Sequence, residues 1–96
     1  MLVYESEDTL DQDFTHSTEI IRTLTVKPSN DELLQLYGLF KQATIGNNNT
    51  DSPNIIQLKE KAKWNFWYSL RGISKRNAKT KYNEFVINLI EKYPHS

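Results

Sequence analysis

Ser29-Asn30-Asp31-Glu32-Leu33-Leu34-Gln35-Leu36-Tyr37-Gly38-Leu39-Phe40-Lys41-Gln42-Ala43-Thr44-Ile45-Gly46 is the stretch whose reading settles the class of fold. It follows Pro28, and its first four residues read as a capping box. The Ser29 hydroxyl can accept from the Glu32 amide while the Glu32 carboxylate reaches back to the Ser29 amide. Asp31 and Glu32 also stand at the positive end of the helix dipole. Leu33, Leu36, Tyr37, Phe40 and Thr44 then recur at helical spacing, and Gly46 offers a left-handed stop. The pattern predicts a helix over residues 30–45.

Working outward, residues 11–24 carry a partial apolar stripe of Phe14, Ile20, Ile21 and Leu24, set among the indifferent helix formers Thr15, Thr18 and Thr23. On the other side, residues 46–54 form a polar run too rich in asparagine to hold a helix, which predicts a long loop. It is not a domain linker, because neither flank could bury a core alone. A third helix is expected over residues 58–70, with Lys59, Lys63, Trp64, Trp67 and Tyr68, and Gly72 ends it. Ser74 caps a fourth over residues 75–92, where Ala78, Tyr82, Phe85, Val86, Leu89 and Ile90 make the cleanest amphipathic stripe. Pro28, Pro53 and Pro94 fall between these segments, where a fixed φ and a missing amide hydrogen are tolerated. No strand alternation or internal repeat is visible. The reading is all-α with four helices, in one domain of residues 11–96. The acidic residues 1–10 are expected to form a poorly ordered extension.

Twelve Lys and Arg balance twelve Asp and Glu, so total charge gives no reason to expect a nucleic-acid or membrane partner. The distribution is uneven, however. Glu5, Glu7, Asp8, Asp11 and Asp13 crowd the start, whereas residues 59–81 are strongly basic, an asymmetry that can build a local anion site on a neutral protein. With no cysteine there is neither a disulfide framework nor a thiolate site, which suits a reducing compartment. Residues 1–9 lack the basic and apolar regions of a signal peptide, and their acidity speaks against a transit peptide. No apolar run approaches the ~20 residues of a membrane span. A cytoplasmic monomer is expected; attachment to an organelle surface through a segment outside this sequence is compatible with that reading.

Catalysis is disfavoured by what is missing. His16 lies in the acidic start and His95 at an end expected to fray, and neither has a sequence partner to recommend it over a solvent-exposed role. No phosphate-binding glycine loop, paired-histidine metal motif or nucleophile elbow occurs, and Asp11 with Asp13 reads as solvated surface. No metal and no cofactor is expected. What the chain does offer is cations among aromatics. Tyr37, Phe40 and Lys41 share one helical face. Aromatics so spaced ordinarily pack in a core, whereas a lysine continuing the stripe either carries its head out to water or meets a fixed anion such as phosphate. Lys59, Lys63, Trp64 and Trp67 repeat the arrangement, with the tryptophans best read as core anchors. Stacking on single-stranded nucleic acid is a weak competitor, given the neutral charge and the lack of a Gly- or Arg-rich segment.

The run Tyr37-Gly38-Leu39-Phe40-Lys41-Gln42-Ala43-Thr44-Ile45-Gly46, then Lys63-Trp64-Asn65-Phe66-Trp67, then Ser74, Ala78 and Tyr82, closely resembles the acyl-CoA-binding protein family. The similarity spans residues 14–93. It implies an up-down-down-up bundle with a bowl-shaped ligand site and no chemistry performed on the ligand. By matching position, Tyr37, Lys41 and Lys63 are expected to take the ribose 3′-phosphate of the coenzyme and Phe40 to stack on its adenine. Tyr82 matches the ligand-facing tyrosine of the last helix, and Arg22 a ligand-contacting lysine of the first. Phe14, Thr18, Leu33 and Leu34 would line the acyl groove, with Trp64 and Trp67 structural or groove-adjacent.

Several positions depart from the family's pattern. Phe40 stands for a usual tyrosine, which keeps the ring but loses the phenol oxygen. Thr18 replaces alanine at the groove, and Arg22 replaces lysine with a planar cation of different reach. Asn54 stands where glycine often follows proline, and Phe66 replaces a small residue, so local packing must adjust. The resemblance implies a buffer and carrier of medium- to long-chain acyl-CoA in lipid metabolism, touching membranes or acyl-CoA-using enzymes at most transiently. The competing readings are a protein-interaction bundle with a decayed ligand site and an enzyme of thioester metabolism.

Overall fold

A computed structural model describes residues 2–96. Both cap signals form as expected. The Ser29 hydroxyl accepts from the Glu32 amide at 3.2 Å and the Ser29 amide donates to the Glu32 carboxylate at 2.9 Å, while Ser74 accepts from the Asn77 amide at 3.0 Å. The helices are α1 (Glu7–Ile20), α2 (Asn30–Thr44), α3 (Leu58–Ser69) and α4 (Lys75–Lys92), and a 3-10 turn at Ile21–Thr23 extends α1.

The start of α1 differs from the expectation. It begins at Glu7 rather than at residue 11, with Ser6 as N-cap accepting from the Thr9 amide at 3.3 Å. Glu7 and Asp8 favour the positive helix end, and Leu10 is only 1% exposed. The division expected at residue 10 therefore falls inside a helix, and only Met1 lies outside the described residues. Tyr4 is tied down as well: its hydroxyl donates to Asp13 at 2.9 Å and accepts from the buried Asn83 side chain at 3.0 Å. The C-terminal end, expected to fray, is held too. Leu24 and His95 form an isolated antiparallel bridge, the Thr25 amide donates to the Pro94 carbonyl at 3.0 Å, and the Ser96 amide to the Thr23 carbonyl at 3.0 Å.

Side-chain contacts fix the direction of each helix. Glu7 pairs with Arg76, Asp11 with Lys79 and Phe14 with Tyr82, so α1 and α4 run parallel. Glu32 meets Lys92 while Gln42 meets the Ile73 carbonyl, so α2 opposes α4. Tyr37 neighbours Lys63, and Gly46 neighbours Trp67, so α3 follows the direction of α2. The result is up-down-down-up, as expected. α4 is the central helix, packed on both α1 and α2, and α3 packs on α2 alone. Ala43 and Ala78, both essentially inaccessible, help α2 and α4 approach closely around Phe14, Leu39, Tyr82 and Val86.

The asparagine-rich loop is stitched down. Asn47 accepts from Gln42 and from the Gly72 amide, each at 2.9 Å, and the buried Asn48 donates to the Trp64 carbonyl at 3.2 Å. Gly46, at φ 99°, takes the left-handed conformation expected of it, and its carbonyl accepts from the Trp67 indole at 2.8 Å. Gly38 has a different task. A Cβ there would run into the Phe66 ring and stand 3.3 Å from Leu70, so this glycine is the space into which the unusual Phe66 fits.

Candidate ligand-binding site

Because α1 and α2 touch α4 rather than each other through their backbones, the site is built from side chains that lean across open space. The first group stands between α2 and α3. The Lys41 ammonium lies 5.8 Å from the centre of the Tyr37 ring and 5.6 Å from that of Trp67, and the Lys63 ammonium lies 5.4 Å from the Tyr37 ring. Two cations from separate helices thus converge on one phenol. Burial, and then the nearby Glu60 charge, push the Tyr37 hydroxyl above the ordinary phenol range, so at neutral pH it is a hydrogen-bond donor. Among the described residues Lys41 has no carboxylate within ion-pair distance, and Lys63 has only Glu60 at 3.8 Å, both side chains being well exposed. An exposed pair of this kind contributes little. The positive charge of this group is left largely unneutralised.

The second group is a trio of rings. Phe14 stacks on Phe40 with centroids 5.9 Å apart and meets Tyr82 edge-on at 5.1 Å, while Phe40 and Tyr82 lie 6.2 Å apart. Phe14 and Tyr82 are buried, but Phe40 stays 40% exposed, presenting a flat apolar surface on the turn of α2 that also carries Lys41. Burial pushes the Tyr82 phenol up, and the positive charge of Arg22 opposes that shift, which places Arg22 within electrostatic reach of this trio. Arg22 itself sits in the 3-10 turn and is exposed.

The third feature is apolar. A groove of about 350 Å³ between α2 and α3 is lined by Leu33, Leu34, Leu58 and Ala62, with Lys27, Lys59 and Lys63 at its edges. A neighbouring cavity of about 440 Å³ shares Leu33 and Lys27 and runs on to Ile21, Leu24 and Leu36. The structure therefore gathers Tyr37, Lys41 and Lys63 into one cluster, Phe14, Phe40 and Tyr82 into a second, and Leu33 and Leu34 onto the groove. Phe14 belongs to the ring trio rather than to the lining of the α2/α3 groove. Thr18 stands one turn further along α1, where its hydroxyl donates to the Thr15 carbonyl at 2.7 Å, so the polar group that replaces alanine is satisfied by its own helix. Sequence reasoning did not single out Leu58, Ala62, Lys27 or Lys59 as lining. The spacing of Lys59, Ala62 and Lys63 on one face of α3 was a signal available for three residues of the helix, whereas Lys27 reaches the groove from a loop.

Trp64 stacks on Tyr68 at 4.9 Å and its indole donates to Thr50, and Trp67 is buried beneath Lys41, so both tryptophans are structural and border the cationic cluster. Among the described residues no group of three or more His, Cys, Asp or Glu is placed to hold a metal ion, and no helix is long and apolar enough to cross a membrane. His16 and His95 are both exposed.

Unneutralised cations and a donor phenol beside an exposed aromatic ring and an apolar trough define a helical-bundle receptor for an amphipathic anion. Comparison with known proteins narrows that class. The family model described as Acyl CoA binding protein matches residues 11–86. The chain is 45% identical over 80 residues to Acyl-CoA-binding protein 2 of Saccharomyces pastorianus, covering 83% of this chain and 92% of that one. It is 48% identical over 80 residues to Acyl-CoA-binding protein homolog 1 of Caenorhabditis elegans, covering 83% and 93%. The crystal structure of Oryza sativa Acyl-CoA-Binding Protein 2 superposes with a TM-score of 0.86 at 38% identity, covering 90% of this chain and 94% of that one. This chain belongs to the acyl-CoA-binding protein family.

Proposed function

We propose that this chain binds medium- to long-chain fatty acyl-coenzyme A and acts as a cytoplasmic buffer and carrier, as a monomer and without chemistry on the thioester. The observation that carries the proposal is the convergence of Lys41 and Lys63 on Tyr37 beside the trough lined by Leu33, Leu34, Leu58 and Ala62. The binding unit is the four-helix bundle, to which the residues before 11 add the first turn of α1, the buried Leu10 and contacts to α4.

The mechanism divides the ligand between two kinds of force. The ribose 3′-phosphate takes charge-assisted hydrogen bonds from Lys41 and Lys63 and a hydrogen bond from the Tyr37 phenol, while the adenine stacks on the exposed face of Phe40. Arg22, near the Tyr82 phenol, adds positive charge at the rim for the remaining phosphates. The acyl chain leaves water for the apolar groove, gaining about 0.8 kcal/mol per fully buried methylene less the cost of ordering it. Ten such groups outweigh any single surface ion pair, so the tail supplies the larger share of affinity while the head adds a smaller share and sets orientation.

Calorimetric titration with acyl-coenzyme A of increasing chain length, with free coenzyme A as control, tests this reading. Affinity should climb with chain length until the groove is filled, and free coenzyme A should bind far more weakly. No heat with palmitoyl-coenzyme A at micromolar concentration would leave a helical interaction module as the better description. Release of free thiol during the titration would make it a hydrolase instead.

A further inference from the structure

Ahead of α3, residues 54–57 make a tight turn in which the Gln57 amide donates to the Asn54 carbonyl at 2.9 Å and the Ile56 amide to the Asn54 side chain at 3.2 Å. The tips of such turns normally carry Gly, Pro, Asn, Asp or Ser. Here the two central residues are isoleucines, 76% and 81% exposed, and Leu58, which follows on the groove wall, is 75% exposed. These are three of the four most exposed large apolar side chains described, and they sit together. Among the described residues they are left largely to solvent, and their exposure calls for a partner.

Charge nearby says what kind. Lys59 and Lys63 edge the groove beside Leu58 and Lys27 faces them across it, while Lys61, on another face of α3, holds its ammonium against Ser52 and 5.5 Å from the Trp64 ring. Asp51 and Glu60 offset only part of this charge. An apolar tip of two isoleucines beside a lysine-edged groove is too small for a stable protein interface, which needs about 800 Å² on each side. It does suit an anionic lipid surface, where shallow insertion of apolar side chains and attraction of basic ones to the headgroups act together.

We propose that the 54–57 turn and the first turns of α3 form a docking face for anionic membrane surfaces, with Ile55 and Ile56 inserted among the headgroups. The proposal rests on the acyl-CoA reading above and adds a route to it. Leu58 belongs to the inserted face and to the groove wall alike, so docking brings the mouth of the trough to the lipid. An acyl chain then passes between bilayer and protein with less exposure to water. Lys59 and Lys63 serve the membrane before the ligand's anionic head takes its place.

The test is co-sedimentation of the full chain with vesicles of phosphatidylcholine alone or with about 30 mol % phosphatidylserine. Binding should require phosphatidylserine and weaken strongly between about 0.1 M and 1 M salt as screening shortens the Debye length. The double variant Ile55→Asn with Ile56→Asn should lose about tenfold or more in vesicle partitioning. It should keep the wild-type circular dichroism and the wild-type solution affinity for palmitoyl-coenzyme A, since neither side chain lines the groove. Three results would overturn the proposal: no vesicle binding by a wild type that binds palmitoyl-coenzyme A, equal partitioning of variant and wild type, or self-association of the wild type that the variant abolishes. The palmitoyl-coenzyme A titration run in parallel reports separately on the reading beneath it, because a chain with no ligand affinity can still bind vesicles.

Discussion

The two sides of α2 treat positive charge in opposite ways. Toward α4, cations are matched: Lys92 sits 2.8 Å from Glu32, and across the α1/α4 seam Lys79 sits 2.6 Å from Asp11 and Arg76 sits 3.7 Å from Glu7. Toward α3, Lys41 rests on aromatic rings with no carboxylate in ion-pair reach among the described residues, and Lys63 shares only a long contact with an exposed Glu60. A bundle of zero net formal charge can therefore keep a positive pocket, provided its acids are spent on the seams that hold it together. The first side is built for folding, and the second is the one we propose for the ligand's anionic head.

The contrast can be broken most severely from the folded side. Leu89 on α4 is 2% exposed, and Leu89→Ala should cost about 2 to 5 kcal/mol of stability through the cavity it leaves, measured by urea unfolding. Palmitoyl-coenzyme A affinity of the remaining folded molecules should be unchanged. Lys41→Ala should do the reverse. It should lose about 2 to 3 kcal/mol of ligand binding by calorimetry, with helicity and unfolding midpoint intact. If it unfolds the domain instead, the two sides are not separable.

A smaller effect is expected at Gly38, on the boundary between the two sides. Gly38→Ala should destabilise by about 1 to 3 kcal/mol because the new Cβ meets the Phe66 ring. Adding Phe66→Ala should recover part of that loss, a coupling that a double-mutant cycle reads directly.

The mildest test uses pH. Hydrogen bonds from Lys92, then Tyr93 and the Ser29 amide, hold the Glu32 carboxyl down at about 2, below its ordinary value of 4.5. Stability from a depressed carboxylate is complete above its unfolded pKa and disappears as pH falls through the folded one. The wild type should therefore exceed Glu32→Gln in melting temperature at pH 5, and the gap should close between about pH 4.5 and 2. A gap that stayed constant would mean that this pair does not stabilise through its charge.

What the sequence made legible was local. The Ser29 and Ser74 caps placed the starts of α2 and α4 at the expected residues, and the stripe from Ala78 to Ile90 marked the bundle's central helix, because caps and periodicity are written within a few residues of one another. The true start of α1 was less readable. Ser6 and the acids after it are a valid cap signal, but Leu10 was a lone apolar residue whose burial depends on α4, and Arg76 and Lys79 lie far along the chain. Likewise the spacing of Tyr37, Phe40 and Lys41 put them on one face, yet only folding brings Lys63 to the same ring. The resemblance implied that meeting where periodicity left Lys41 open between water and an anion. The resemblance marked Phe66 as a departure that packing must absorb, but neither its place on Gly38 nor the apolar tip of the 54–57 turn was written locally, since each depends on what the fold leaves beside it.

The most direct measurement compares wild type and Lys41→Ala with palmitoyl-coenzyme A and with palmitoyl-3′-dephospho-coenzyme A. Loss of the 3′-phosphate should weaken wild-type binding by about 30- to 150-fold, the equivalent of a charged hydrogen-bond network of 2 to 3 kcal/mol, and should cost the variant far less. Equal losses in both proteins would show that Lys41 does not meet that phosphate.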